Sequence, residues 1–585
     1  YFDLIIPMVE SGQVEMMGGG FYEPILCVLP EEDALGQIRM MSKYIQDKFN
    51  TTPHGFWLAE RIWEPGIPRY TETTNLKYTL LDQSHFAYAG LTKDKIHGYY
   101  VTEDQGVLLN IFPISFDLRY SIPFKPVEAT EEIFRNLASR EDVNGVCFAD
   151  DGEKFGVWPG MYDWVYKQKW LDKFFTFLSK NKEWIHMPLF SEYIRDFKPE
   201  GRVYIPTASY AEMSEWTLLA EAGVQYENFL KYLKKNNKFE KYEPFVRGGF
   251  WRNFQAKYEE SNNMHKKMIS VSKKVNSLKE GQPKRDALKW LWKAQCNCPY
   301  WHGVFGGLYL NSLRFATYRN LLIAERLADE KKHGSGKWKE VEIYDFDKDG
   351  LDELIISTDK LNIYIAPIKG GSIFELDYKP KDFNYSDVLT RKFEAYHTKV
   401  TNANVSDDNH DNHGSIHDIV NIKEDGIEQY LAYDSFRRAS LIDHFLGPDI
   451  ELDDFVYTEY KELGDFYNGE YLIKYKASKD DIVLEREGTV IQGKNHLPVL
   501  IRKIISIPAG SSVASFYYTV TNKSEEVLDT IFGIDFVFTL LAGDNPDRHY
   551  YIPGYEDIDK RMCSKGALEG VSEVQAIDDW MASKI

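Results

Sequence analysis

The chain has 585 residues, 27% charged and 43% hydrophobic, with a formal net charge of −20 and five Cys. That length implies about two to four domains. The acidity argues against nucleic acid as a partner, and five Cys without a CxxC pair exclude a disulfide scaffold or a zinc ribbon. No apolar run approaches the roughly 18 residues of a membrane span. The opening DLIIPMV lacks the basic flank and cleavage site of a signal peptide, so a cytoplasmic, reducing setting is expected.

Residues 1–211 alternate short apolar runs with helical stretches. QVEMMGG, HGFWLAE, YTLLDQS, VLLNIFP and GVCFAD read as strands, while residues 33–49 and 129–139 carry helical periodicity. Alternating β and α units imply a parallel sheet or barrel with its chemistry at the C-terminal strand ends. Glu23, Glu60, Asp82 and Asp151 fall there. Residues 212–333 show apolar positions three and four apart with no strong Pro break, and read as a helical bundle packed on the barrel. HGSGKW (333–338) is a linker. Beyond it ELIIST, LNIYIAP, GSIFELDY, YLIKYKA, IVLEREGTV, VLIRKIISI and VASFYYTV read as antiparallel strands of a β-sandwich. The polar tract NANVSDDNHDNHGSIH (402–417) holds three His among Asp residues, yet reads as a solvated loop rather than a metal site.

Two segments concentrate the chemistry. GFWLAERIWEP (55–65) and CFADDGEKFGVWPG (147–160) each set carboxylates beside Trp at the end of an apolar run. Carboxylate pairs cleave glycosidic bonds, and indole rings stack on sugar faces. The spacing leaves Glu60 or Glu64 open in the first segment, and Asp150, Asp151 or Glu153 in the second. Aromatic residues make up 15% of the chain, an excess that suits sugar-stacking surfaces. No Walker loop, Rossmann fingerprint or HExxH string is present, so nothing requires a nucleotide or redox cofactor.

Both segments resemble glycoside hydrolase family 57, specifically its 4-α-glucanotransferase/α-amylase branch. So do GGGFYEPIL (18–26), ASYAEMSEW (208–216), RGGFWRNF (247–254), AQCNCPYWHGVFGGLYLNSLR (294–314) and GGSIFELDYKP (370–380), in that family's order. The resemblance implies Glu60, just before Arg61, as nucleophile and Asp151, just before Gly152, as general acid/base. It implies Trp57, Trp158 and Trp301 as sugar platforms and His302 as a cleft residue. Glu23, Asp82, Glu153 and Glu215, together with His85 and Glu212, either hold sugar hydroxyls or brace the carboxylates. The family's first signature, a His-Gln-Pro string, is absent, so the chain is expected to lack the first barrel strand.

The architecture expected is α/β plus β. A (β/α)7-type, incomplete TIM-like barrel covers 1–211, a helical domain completing the cleft covers 212–333, and a C-terminal antiparallel β-sandwich covers 339–585. The activity expected is retaining 4-α-glucanotransfer on α-1,4-glucans, with α-amylase-type hydrolysis as the alternative. A zinc-dependent barrel would need a His/Asp ligand set that the sequence does not show. A non-catalytic glucan-binding protein would not need both Glu60 and Asp151. The partner expected is an α-glucan, without nucleic acid or membrane; a homodimer stays open. Separately, YDFDKDGLDE (344–353) sets Asp345, Asp347, Asp349 and Glu353 at positions 1, 3, 5 and 9 of an EF-like loop, with Gly350 at the turn. Position 12 is Ile356, so a bidentate Glu is missing. A structural Ca2+ is the ion this turn would take.

Overall fold

The computed structural model describes residues 1–303, 305–398, 426–474 and 481–585. The polar tract 402–417 lies outside the described residues. In the N-terminal part, β1 (Met17–Gly19), β2 (Gly55–Trp57), β3 (Tyr78–Asp82) and β5 (Val107–Ile114) run parallel, and β4 (Tyr100–Asp104) borders β5 antiparallel. Every residue of β3 is buried, as expected of a parallel strand covered on both faces. GVCFAD, expected as a strand, forms only one parallel bridge, from Cys147 to Ile114. The chain then leaves the sheet into a one-turn helix, Gly152–Phe155, so Asp150 and Asp151 sit on an extended link beside the end of β5.

The helix Glu31–Phe49 joins β1 to β2. Three acids occupy its first turn, where they favour the positive end of the helix dipole, and Asn50 closes it in the left-handed conformation. Ala34, Ile38, Ile45 and Phe49 form its buried stripe. Gly36 is a close approach: a Cβ there would stand 2.4 Å from the Trp292 ring of the helix Gln282–Lys293. The buried Asp33 accepts hydrogen bonds from Ser272, Asn276, Trp292 and Gln295. Sheet and helical regions therefore share one core, in which Phe56, Leu81 and Ile111 pack with Met268, Leu291 and Leu321.

The helical region expected from residue 212 onward opens with two short-linked helices. Helix Ala211–Trp216 ends at Thr217, and a second begins at Ala220 and runs to Lys235. Thr217 turns its hydroxyl back to donate to the Ser214 carbonyl, competing with the helix ladder.

Beyond the linker, β6 (Lys339–Tyr344), β7 (Glu353–Thr358), β8 (Leu361–Ala366), β9 (Ser372–Tyr378) and β10 (Phe383–Asn384) form one antiparallel sheet. It faces a second antiparallel sheet built on Asp481–Gln492, Asn495–Ser506 and Ser515–Asn522. Leu354, Ile356, Ile363 and Ile365 meet Ile482, Leu484, Val499 and Ile501 between them. A sheet with one wet face should alternate in burial, yet β7 and β8 are buried at every residue. The outer face is covered by the helices. Lys267 on Glu259–Asn276 is wholly buried and lies 2.9 Å from Glu325, 3.0 Å from Glu375 and 2.9 Å from Asp377. Glu375 and Asp377 come from β9, so the ionic cluster docks the sheet on the helical region. No helix among the described residues is long and apolar enough to cross a membrane.

Candidate active site

β2 ends at Trp57, and the chain then turns sharply. Glu60 (φ 53°) and Arg61 (φ 48°) are both left-handed, a conformation that costs a non-glycine residue about 1–2 kcal/mol. Two contacts hold it. Ser209 donates its hydroxyl to the Glu60 carbonyl at 2.6 Å, and a ring nitrogen of the buried His85 lies 2.9 Å from the Arg61 carbonyl. The turn swings the Glu60 side chain out of the strand's alternation. Its Oε2 accepts the Tyr210 hydroxyl at 2.7 Å. The Arg61 guanidinium lies 4.5 Å from the Tyr210 ring centroid and 5.6 Å from that of Trp57. Burial pushes the Glu60 carboxyl above its ordinary value, Tyr210 and Arg61 pull it down, and Asp151 pushes it up again.

Asp150 and Asp151 have opposite surroundings. The Asp150 side chain is buried, ion-paired with Lys154 and 3.5 Å from Arg119 Nε. Its Oδ1 also accepts the Asp151 backbone N–H at 3.0 Å. Arg119 reaches Asp82 Oδ2 at 3.1 Å on its other side and lies over the rings of Tyr120 and Tyr210. Asp151 is exposed, and no hydrogen bond or ion pair engages its carboxylate among the described residues. Asp150 therefore aims the link, and Asp151 is left facing outward. Glu23, in a left-handed turn whose carbonyl accepts Asn297 Nδ2 at 2.7 Å, is raised by burial and then by Glu60, Asp151 and Glu153. Four of the expected residues thus share one electrostatic space. Glu64 does not belong to it: Arg252 clamps its carboxylate at 2.7 and 3.1 Å.

The chain matches the description Glycosyl hydrolase family 57 over residues 1–206. It matches the middle domain of Alpha-amylase/4-alpha-glucanotransferase over 249–328 and the C-terminal domain of the same description over 345–585. Alpha-amylase 1 of Dictyoglomus thermophilum is 39% identical over 553 residues, covering 94% of this chain and 78% of that one. The 4-alpha-glucanotransferase of Thermococcus litoralis is 40% identical, covering 92% and 78%. This chain belongs to glycoside hydrolase family 57. The crystal structure of the Thermococcus litoralis 4-alpha-glucanotransferase superposes on this family 57 chain with a TM-score of 0.82 at 38% identity, covering 94% of this chain and 79% of that one.

Several residues expected to face substrate in the family 57 chain are buried. Trp301 is 7% exposed, stacks at 6.1 Å on Trp216 and donates its N–H to Asn297 at 2.9 Å. It is a core residue rather than an open platform. His302 is held at both ring nitrogens, by the Gly306 carbonyl at 2.9 Å and the Tyr396 hydroxyl at 3.1 Å. The cause is a tight loop. Gly307 is left-handed, and a Cβ on it would stand 2.2 Å from the Trp301 carbonyl, so the chain folds back on itself there. Asp82 is fully buried, caps the helix Gln83–Tyr88 and holds Arg119, which makes it a brace rather than a sugar ligand. Trp57 and Trp158 are half-buried; Trp158 backs onto Phe124 at 5.9 Å. Glu153 is exposed beside Asp151, Glu215 is half-buried near Tyr226, and Glu212 accepts the Tyr120 hydroxyl at 2.7 Å. Sequence reasoning missed Arg119, Lys154, Ser209 and Tyr210. Arg119 carried a signal, as a cation just past the apolar end of β5.

The acidic turn of the third region stands apart. Ligand oxygens of Asp345, Asp347 and Glu353 lie within 4.8 Å of one another, and Gly350 (φ 93°) makes the expected turn. Asp349 is not in that group; its carboxylate accepts the Leu351 N–H at 2.9 Å and lies 3.5 Å from Lys369. Asp345 Oδ1 is buried without a hydrogen-bond partner, and an all-oxygen set fits a hard cation.

Proposed function

We propose that this chain is a retaining 4-α-glucanotransferase acting on α-1,4-glucans. The observation that carries the reading is the asymmetry of the acids: Glu60 is gripped at one oxygen by Tyr210, and Asp151 stands unpaired close enough to perturb it. In this reading Asp151 protonates the glycosidic oxygen while Glu60 attacks the anomeric carbon, giving a glycosyl-enzyme. An acceptor hydroxyl then displaces the sugar, with Asp151 taking its proton. Trp57 and Trp158 offer ring faces to the glucan, and Glu23 and Glu153 offer oxygens to its hydroxyls. The parallel sheet is read as an arc of a (β/α)7-type barrel with these residues at its strand ends, and the setting as cytoplasmic.

Hydrolysis is the second reading, because relatives at this identity carry both names; the alpha-amylase of Pyrococcus furiosus is 39% identical over 90% of this chain. Maltotriose decides between them. Transfer yields a ladder of longer maltooligosaccharides plus glucose, with α configuration at the newly formed linkages. Only shorter sugars would assign an α-amylase, and initial β-anomers would exclude double displacement.

Calcium at the acidic turn is proposed as structural, with Asp345, Asp347 and Glu353 as its ligands. Burial first, and Asp347 second, raise Glu353 from 4.5 to about 7. The folded state therefore holds that proton more tightly than the unfolded state. Its stabilising contribution is full below about pH 4.5 and is lost as pH rises to about 7. In chelator the melting temperature of the C-terminal transition should fall across that window, and Glu353→Gln should flatten the fall. Calcium at pH 7.5 should restore the melting temperature of the wild type only. An unchanged melting curve with calcium would leave Lys369 as the turn's counter-charge.

A further inference from the structure

Tyr210 is the residue that the acid pair leaves unexplained. It sits at the N-terminal boundary of the helix Ala211–Trp216, extended (φ −67°, ψ 163°) and 5% exposed. Its ring is clamped by the guanidinium groups of Arg61 at 4.5 Å and Arg119 at 5.8 Å and by the edge of Trp216 at 6.0 Å. So fixed, its O–H donates to Oε2 of Glu60 at 2.7 Å, while its neighbour Ser209 donates to the Glu60 carbonyl. Two consecutive residues grip both ends of one glutamate. The left-handed turn at Glu60 makes that grip necessary, because no strand register aims the side chain.

We propose that Tyr210 is a positioning residue that holds Oε2 of Glu60, presents Oε1 to the anomeric carbon and speeds release of the sugar from the enzyme. The proposal rests on Glu60 as nucleophile. In the first half-reaction the bond from the anomeric carbon to the leaving oxygen breaks. Its electron pair stays on that oxygen, which takes the Asp151 proton. Oε1 of Glu60 forms the new bond, and Oε2 becomes an ester carbonyl. In the second half an acceptor O–H gives its proton to Asp151, its oxygen bonds the anomeric carbon, and the ester bond returns its electron pair to Glu60. A phenol O–H binds a carboxylate more strongly than an ester carbonyl. Tyr210 therefore favours the states with Glu60 free, which restrains the first half and drives the second.

Glu60 faces other charged or titratable groups: Arg61, Arg119, Asp151, Glu23 and the Cys298 thiol. None of them is changed by Tyr210→Phe, which removes one oxygen. With an α-maltosyl fluoride donor, the full chain carrying Tyr210→Phe should lose about 10- to 100-fold in kcat, with KM unchanged or lower. The acid limb of its pH profile should move up by about one unit. Acid-quenched mass spectrometry should find a larger fraction of the peptide bearing Glu60 glycosylated at steady state. Replacing Tyr210 with 3-fluorotyrosine, a stronger donor of nearly the same shape, should move the acid limb down, and this keeps the test decisive if Tyr210→Phe folds poorly. An unmoved acid limb and an unmoved glycosylated fraction would overturn the proposal for Tyr210 alone. Label on another carboxylate, in wild type and variant alike, would overturn the Glu60 reading on which it rests.

Discussion

Glu60→Gln is expected to lower turnover of maltooligosaccharides by at least roughly 10³-fold, the scale on which loss of a covalent nucleophile is felt. The amide keeps the shape of the side chain, and its oxygen still accepts the Tyr210 hydroxyl that now reaches Oε2 at 2.7 Å. Burial already disfavours the charged form of Glu60, so a neutral replacement should leave the melting temperature unchanged or slightly higher. The two readings separate chemistry from folding. Steady-state rates with maltotriose and a thermal melt of the same preparation check them together. A folded variant that kept more than a few per cent of wild-type turnover would remove Glu60 from the reaction.

Asp150 and Asp151 should split the same way, in opposite directions. Asp151→Asn should abolish cleavage of glucans, whose leaving oxygen needs a proton, yet spare attack on an activated glycosyl fluoride. Because Asp151 is exposed and unpaired, its loss should change stability by no more than about 0.5 kcal/mol. Asp150→Asn strips the buried carboxylate from between Lys154 and Arg119. Breaking a buried pair costs about 3–5 kcal/mol, so here the melting temperature should drop. Activity should fall only as far as the Asp151 link loses its anchor. Calorimetry and the two substrates give three readings for each variant. A stable, inactive Asp150→Asn beside an active Asp151→Asn would exchange the two assignments.

The two segments that hold the proposed acids were legible because their signal is local, while the choice of Glu60 and Asp151 within them came from the family resemblance. WLAER and FADDGE put polar residues at the ends of apolar runs, and a strand end is where a parallel sheet opens to substrate. The helix Glu31–Phe49 was legible for the same reason, through its period and its acidic first turn. What the sequence hid depends on distant partners. Asp82 looks like any strand-end acid, and only Arg119, brought in from beyond β5, turns it into a brace. Trp301 and His302 lie in a string expected to face substrate, but Gly307 folds that string over itself and both are buried. Tyr210 lies 150 positions from the side chain it grips, with no periodicity linking them. The burial of both faces of β7 and β8 was likewise invisible, since part of it comes from distant partners, among them Phe346 and Phe374 and the helix that carries Lys267.

The most direct test of the two-carboxylate account is to trap the covalent sugar. Asp151→Asn treated with α-maltosyl fluoride should complete the first half-reaction and stall, because no base remains to activate the acceptor. Mass spectrometry should then show a protein heavier by one maltosyl group, and peptide mapping should place that group on Glu60. A label on Glu23 or Glu153, or no covalent adduct while fluoride is still released, would contradict the account.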